Sequence, residues 1–60
     1  MLTYRVFQDG YLVATYAFAS DAYEYAKRWA GLRITVKVDR KSFTYDDSQS
    51  ETFHRTLLEA

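Results

Sequence analysis

Few side chains in this sequence could perform catalysis. His54 is the single histidine among the 60 residues, and the sequence places no serine or cysteine partner near it, so we interpret it as a surface residue. Cysteine is absent, which excludes a disulfide framework, a thiolate zinc site and a cysteine nucleophile. The sequence therefore lacks a recognisable set of catalytic groups.

The adjacent carboxylates Asp46 and Asp47 could bind a divalent cation. They lack the alternating spacing of a calcium loop, so we predict that they cap a turn. The sequence contains no phosphate loop, dinucleotide fingerprint or nucleophile elbow, and so short a chain has little volume for a pocket of ~300 Å³ or more. We expect no enzyme activity, no metal and no cofactor.

The outer side of an N-terminal β-hairpin is the candidate binding surface. It would carry Arg5, Phe7, Tyr11 and Val13, and tyrosine and arginine are enriched at the energetic centres of protein interfaces. This set predicts binding to another protein, including a second copy of the chain in a homodimer. The alternative is that Phe7 and Tyr11 only stabilise the sheet by cross-strand pairing.

Single-stranded nucleic acid is the alternative partner. Phe7 and Tyr11 would stack on bases, while Arg5, Arg33 and Lys37 would contact phosphates. Eight basic residues are balanced by eight acidic ones, for a formal net charge of +0. The balance counts against nucleic acid, because affinity for phosphate comes mainly from lysine and arginine.

The hairpin is predicted around Asp9-Gly10, a strong turn signal between segments rich in β-branched and aromatic residues. A two-residue loop would pair Gln8 with Tyr11. A three-residue loop would pair Phe7 with Tyr11 and place the even-numbered apolar residues on one face. We favour the three-residue loop, because register follows the buried face.

A helix is predicted over residues 20–30, with Ser20 as its N-cap and Gly31 as its stop. Its apolar stripe has the i, i+3, i+4, i+7 spacing of a helix that covers a sheet. The members of this stripe are Ala22, Tyr25, Ala26 and Trp29.

Two strands and an ambiguous tail follow. Residues 33–39 alternate with their valines and isoleucine inward, and residues 43–45 form a short strand that would pair Phe43 with Val38. Ser48 and Glu51 have capping-box spacing, so the tail is predicted as a helix over 49–58. A fifth strand over 52–57 is the alternative.

These elements predict a single α+β domain over residues 1–60. Its order is ββαββ, with one helix on an antiparallel or mixed four-stranded sheet and a short C-terminal helix. The first and last strands could lie parallel at the centre, or the third could lie antiparallel beside the first. No apolar run approaches the ~20 residues of a membrane span, and a signal-peptide pattern is absent. We expect a cytoplasmic protein that makes no membrane contact.

The run Tyr4–Ala14 contains the Asp-Gly turn, and Ser20–Ala26 contains a Tyr-Ala step in a Ser-capped helix. This pattern resembles small accessory proteins of phages and bacteria. The resemblance implies a compact ββα-plus-strand module. Phage members of this size often inhibit a host protein by binding it, so an inhibitor or adaptor is the implied function.

A second resemblance involves Thr3-Tyr4 and Phe43–Asp47, which are similar to the strands of the immunoglobulin-binding domain of protein G. The ββαββ order also agrees. The helix here is shorter and has no match for that family's antibody-binding residues. The likeness therefore implies a fold and no function.

Overall fold

Four short segments of alternating apolar residues build an antiparallel sheet. They are β1 (Tyr4–Gln8), β2 (Tyr11–Tyr16), β3 (Ile34–Val38) and β4 (Lys41–Thr44). The computed structural model describes residues 2–60, and the strand order is β2-β1-β3-β4 with every neighbouring pair antiparallel. The third strand therefore lies beside the first, and the arrangement with the first and last strands parallel at the centre is wrong.

Two helices pack on one side of this sheet. Helix α1 spans Ala19–Arg28, and helix α2 spans Ser50–Glu59 after a single 3-10 turn over Asp47–Gln49. The predicted α+β class, the ββαββ order and the C-terminal helix are confirmed, and the alternative strand over 52–57 is wrong. The tail is helical because one side of a helix carries both Phe53 and Leu57, which are buried.

The ends of the helices differ from the predicted caps. Ser20 lies inside α1, whose N-cap is Phe18, without a side-chain hydrogen bond. Helix α1 ends before Gly31, which does not adopt a positive φ. The predicted capping box is absent as well, since no side chain caps α2. The residues at which each helix begins and ends are therefore determined more by packing of its apolar face than by side-chain capping.

The buried core lies between the sheet and the two helices. It is a single cluster in which the strands supply branched residues and α1 supplies alanines, whose small side chains let the helix approach the strands closely. Trp29 does not belong to the cluster as predicted and is 45% exposed. The cluster comprises Tyr4, Val6, Ala19, Ala22, Ala26, Ile34, Val36, Val38, Tyr45, Phe53 and Leu57.

The first hairpin has a two-residue turn, so the predicted three-residue loop is wrong. Asp9 and Gly10 both have positive φ, 52° and 89°, as in the turn whose twist matches that of the flanking strands. Gln8 lies opposite Tyr11, and the register then shifts so that Val6 lies opposite Ala14. This bulge places Ala14 and Tyr16 on the helix side, opposite the buried residues Val6 and Tyr4.

The second hairpin is also tighter than predicted. Phe43 lies opposite Val36, while Val38 lies opposite Lys41. The two intervening residues form the turn, and Asp39 adopts a φ of 57°, which aspartate tolerates better than most residues. Among residues 2–60, no helix is long and apolar enough to cross a membrane.

Candidate binding surface

The sheet has an outer face, on the side away from the helices. Pairing places its members together because opposite residues of neighbouring strands point to the same side. In β1 and β3 these positions alternate with the buried valines and isoleucine. The outer face consists of Arg5, Phe7, Leu12, Thr15, Thr35, Lys37, Ser42 and Thr44.

Phe7 forms the apolar centre of the outer face. Its ring is half-buried, and the Lys37 Nζ lies 4.7 Å from the ring centroid, which is the distance of a cation–π contact. Leu12 lies opposite Phe7 and is 55% exposed. The centre of the face is therefore apolar and open to solvent at one side.

Two like charges lie side by side on this face. Arg5 is directly opposite Lys37, an arrangement that costs stability in a sheet. Arg5 donates a hydrogen bond from Nη2 to the carbonyl oxygen of Asp39 at 3.3 Å. That carbonyl is neutral, as is the ring beneath Lys37, so neither contact cancels the charge of the two cations.

The four predicted partner-binding residues do not form one group. Arg5 and Phe7 share the outer face, whereas Tyr11 lies opposite Gln8, and the Oε1 of Gln8 accepts a hydrogen bond from Tyr25 in α1 at 3.2 Å. Tyr11 therefore belongs to the helix side, at 77% exposure. The predicted pairing of Phe7 with Tyr11 is wrong.

The remaining predicted residues lie at three different places in the sheet. Val13 is the extra residue of the bulge and has no partner in β1. The register places Lys37 on the outer face. Arg33 lies just before β3, where its carbonyl accepts the Asp9 N–H at 3.0 Å. Leu12 was missed because the favoured register assigned it to the buried face.

The zero net charge is unevenly divided between the sheet and the helices. Residues 2–18 and 32–45, which contain the strands, have five basic and two acidic residues, or +3. Residues 19–31 and 46–60, which contain the helices, have three basic and six acidic residues, or −3. The strand-containing segments are therefore more attractive to an anionic partner than the helix-containing segments.

His54 is not a surface residue as predicted. It is half-buried, and its ring stacks on Tyr23 with centroids 4.1 Å apart and planes 7° apart. Its Nε2 is buried and has no hydrogen-bond partner within the described part of the chain, while the Ser50 hydroxyl is 2.8 Å from the Tyr23 hydroxyl. These contacts join α1 to α2 and do not form a nucleophile–base pair.

Of the two adjacent carboxylates, Asp46 caps the turn before α2 as predicted, whereas Asp47 does not. Asp46 Oδ1 accepts hydrogen bonds from the Ser48 N–H at 3.1 Å and from its hydroxyl at 2.8 Å. Asp47 Oδ1 accepts from the Tyr45 hydroxyl at 3.0 Å. Across residues 2–60, no three His, Cys, Asp or Glu side chains cluster in a way that could hold a metal ion.

Burial raises the pKa of Tyr45 above its ordinary value of 10.0. A hydrogen bond to Ser50 lowers the pKa, whereas the Asp47 carboxylate raises it further, because it accepts a hydrogen bond from the phenol and would repel a tyrosinate. Tyr45 therefore stays neutral in the folded protein at physiological pH.

Comparison of the chain with protein families, with curated proteins and with solved structures finds no match. The functional argument therefore depends on the geometry of the surface.

Proposed function

We propose that this protein is a small non-enzymatic binding module, an inhibitor or adaptor, whose outer face contacts an acidic surface of another protein. The observation that carries the proposal is the Arg5–Lys37 pair next to the half-buried ring of Phe7. No outer-face position on the four strands carries a carboxylate. An acidic partner would supply the missing countercharge.

The apolar centre gives this surface the features of an interaction hot spot. Phe7 and Leu12 would lose water on docking, while Arg5 and Lys37 at their border would form hydrogen bonds with carboxylates. Threonine and serine fill the other four positions of the face, and their short side chains project little from the sheet. A sheet face with few projecting side chains suits contact with a folded partner.

Affinity capture from a cell extract tests the proposal, with Arg5→Glu as the principal variant and Lys41→Glu as its matched control. Both substitutions reverse the charge of an exposed basic residue of the sheet. Lys41, however, lies opposite buried Val38 and therefore belongs to the helix side and not to the outer face. We expect a protein that is retained by the wild type and by Lys41→Glu and is lost with Arg5→Glu. Equal retention by all three would reject the proposal.

Single-stranded nucleic acid is a second candidate, favoured by the Phe7 ring beside two cations. Aromatic rings on a sheet stack on bases, and neighbouring cations contact phosphates. Titration of a labelled oligothymidylate at low salt, followed by anisotropy, separates the two candidates. Absence of binding at about 100 µM would reject nucleic acid, since nonspecific affinities lie at or below that value.

A further inference from the structure

A cleft lies between β2 and α1 on the helix side of the sheet. β1 and β3 each have buried residues, but β2 has none. The two helices therefore leave this edge strand partly uncovered. The cleft has a volume of 580 Å³ and is lined by Tyr16, Asp21, Glu24, Tyr25, Lys27 and Arg28.

Aromatic rings form a continuous row from the cleft to the surface. The ring centroids of Tyr16 and Tyr25 are 6.5 Å apart, and those of Tyr25 and Trp29 are 6.3 Å apart. Trp29 is the single tryptophan of the chain and is partly exposed. Tyrosine and tryptophan are the residues most enriched at the centres of protein interfaces.

The charge pattern of α1 beside the cleft is complementary to that of a second, antiparallel copy of the same helix. Asp21 and Glu24 lie in the first half of α1, and Lys27 and Arg28 lie in its last turn. A second α1 that runs antiparallel therefore meets acid with base at both ends. A two-fold axis between residues 24 and 25 places Asp21 of each copy opposite Arg28 of the other.

We propose that the cleft is the homodimer interface of this protein, with a second copy of the chain as its occupant. The two-fold axis brings the aromatic rows of both copies together, and each copy covers the exposed side of β2 in the other. An unrelated helix would need its own matching charge pattern, whereas a second copy has it by symmetry. The interface leaves both outer faces free, so the dimer presents two of them.

Sedimentation over a concentration series, together with Trp29 fluorescence, tests this interface in the full chain. We expect a monomer–dimer equilibrium, with a shift of the emission to shorter wavelength as the dimer forms. Asp21→Arg and Arg28→Asp should each raise the dimer Kd by about tenfold or more, since each replaces two opposite-charge contacts with two like-charge contacts. The double variant should restore the dimer.

Glu59→Arg is the control, because Glu59 is an exposed acid at the end of α2, away from the cleft. Circular dichroism separates loss of folding from loss of the dimer. Each single substitution places at one end of α1 a charge that the helix dipole disfavours, and the double variant contains both. The double variant can therefore regain the dimer only if the exchanged charges meet across the interface. A chain that stays monomeric up to about 1 mM would overturn the proposal. A dimer that Phe7→Ser disrupts and the charge variants do not would overturn it as well, and would assign self-association to the outer face.

Discussion

The two faces of the sheet are built from the same strands and differ in almost every property. On the helix side, Val6, Ile34 and Val36 are 0% exposed. On the outer face, Arg5 and Lys37 lie opposite each other in water, and the contacts of their charged groups among residues 2–60 are with neutral groups. Burial dictates the residue type on the first face, whereas nothing in the fold requires two cations on the second. The outer face is therefore free to serve binding.

The largest difference in the free energy of unfolding is expected between substitutions of two adjacent residues, one on each face. Ile34→Ala on the helix side should cost about 2–5 kcal/mol of the free energy of unfolding, because it leaves a cavity in the core. Thr35→Ala on the outer face should cost less than about 1 kcal/mol. Urea unfolding followed by circular dichroism measures both. Equal costs would contradict the assignment of the two faces.

The next largest effect on the free energy of unfolding is expected at the turn of the first hairpin, which helps to set the face on which each residue of β2 lies. Gly10→Ala should destabilise the protein by about 1–2 kcal/mol, because an L side chain is strained in the left-handed region, where Gly10 has a φ of 89°. Gly31→Ala is the control, since its backbone is not left-handed and an added Cβ meets no atom within 4 Å. That control should be neutral or slightly stabilising. Thermal unfolding compares the two variants.

Tyr45 tests whether the helix side excludes charge. Tyr45→Phe should cost about 0.5–1.5 kcal/mol at neutral pH through the lost hydrogen bond to Asp47. Since the pKa of Tyr45 is raised in the folded state, the unfolded chain ionises first. This contribution to stability is complete below the ordinary pKa of 10.0 and is lost as the pH rises through the folded value. The variant's deficit should therefore shrink in alkaline urea titrations, and a deficit that does not change with pH would contradict a buried phenol.

Arg5→Glu should have the smallest effect on stability and a large effect on binding. It places a carboxylate opposite Lys37, so the free energy of unfolding should be unchanged or rise by about 0.2–1 kcal/mol. Capture of an acidic partner should be lost at the same time. Calorimetry together with the capture assay measures both quantities. Strong destabilisation would instead indicate that the cations of the outer face serve the fold.

The periodic apolar residues were sufficient to predict most of the fold. Ile34, Val36 and Val38 alternate cleanly and are buried as expected. Phe53 and Leu57 have helical spacing, and they are the buried residues of α2. Such patterns are local and strong, because a one-residue error would expose the whole set to water.

The candidate surface was only partly predictable, because its register depends on a bulge. The sequence indicated that Arg5 and Phe7 share a face, and this is confirmed. It did not indicate that a two-residue turn and an unpaired Val13 would place Tyr11 on the helix side and Leu12 on the outer face. His54 was misjudged for a similar reason, since its stacking partner Tyr23 lies in another helix.

The sequence by itself determined which residues are buried along β1, β3 and α2, because apolar periodicity in each segment selects one face. Only the tertiary structure decided what those faces meet. It set β1 beside β3, so that Arg5 lies opposite Lys37, and it left β2 only partly covered by α1. These outcomes depend on contacts between residues distant along the chain, and local patterns do not encode such contacts.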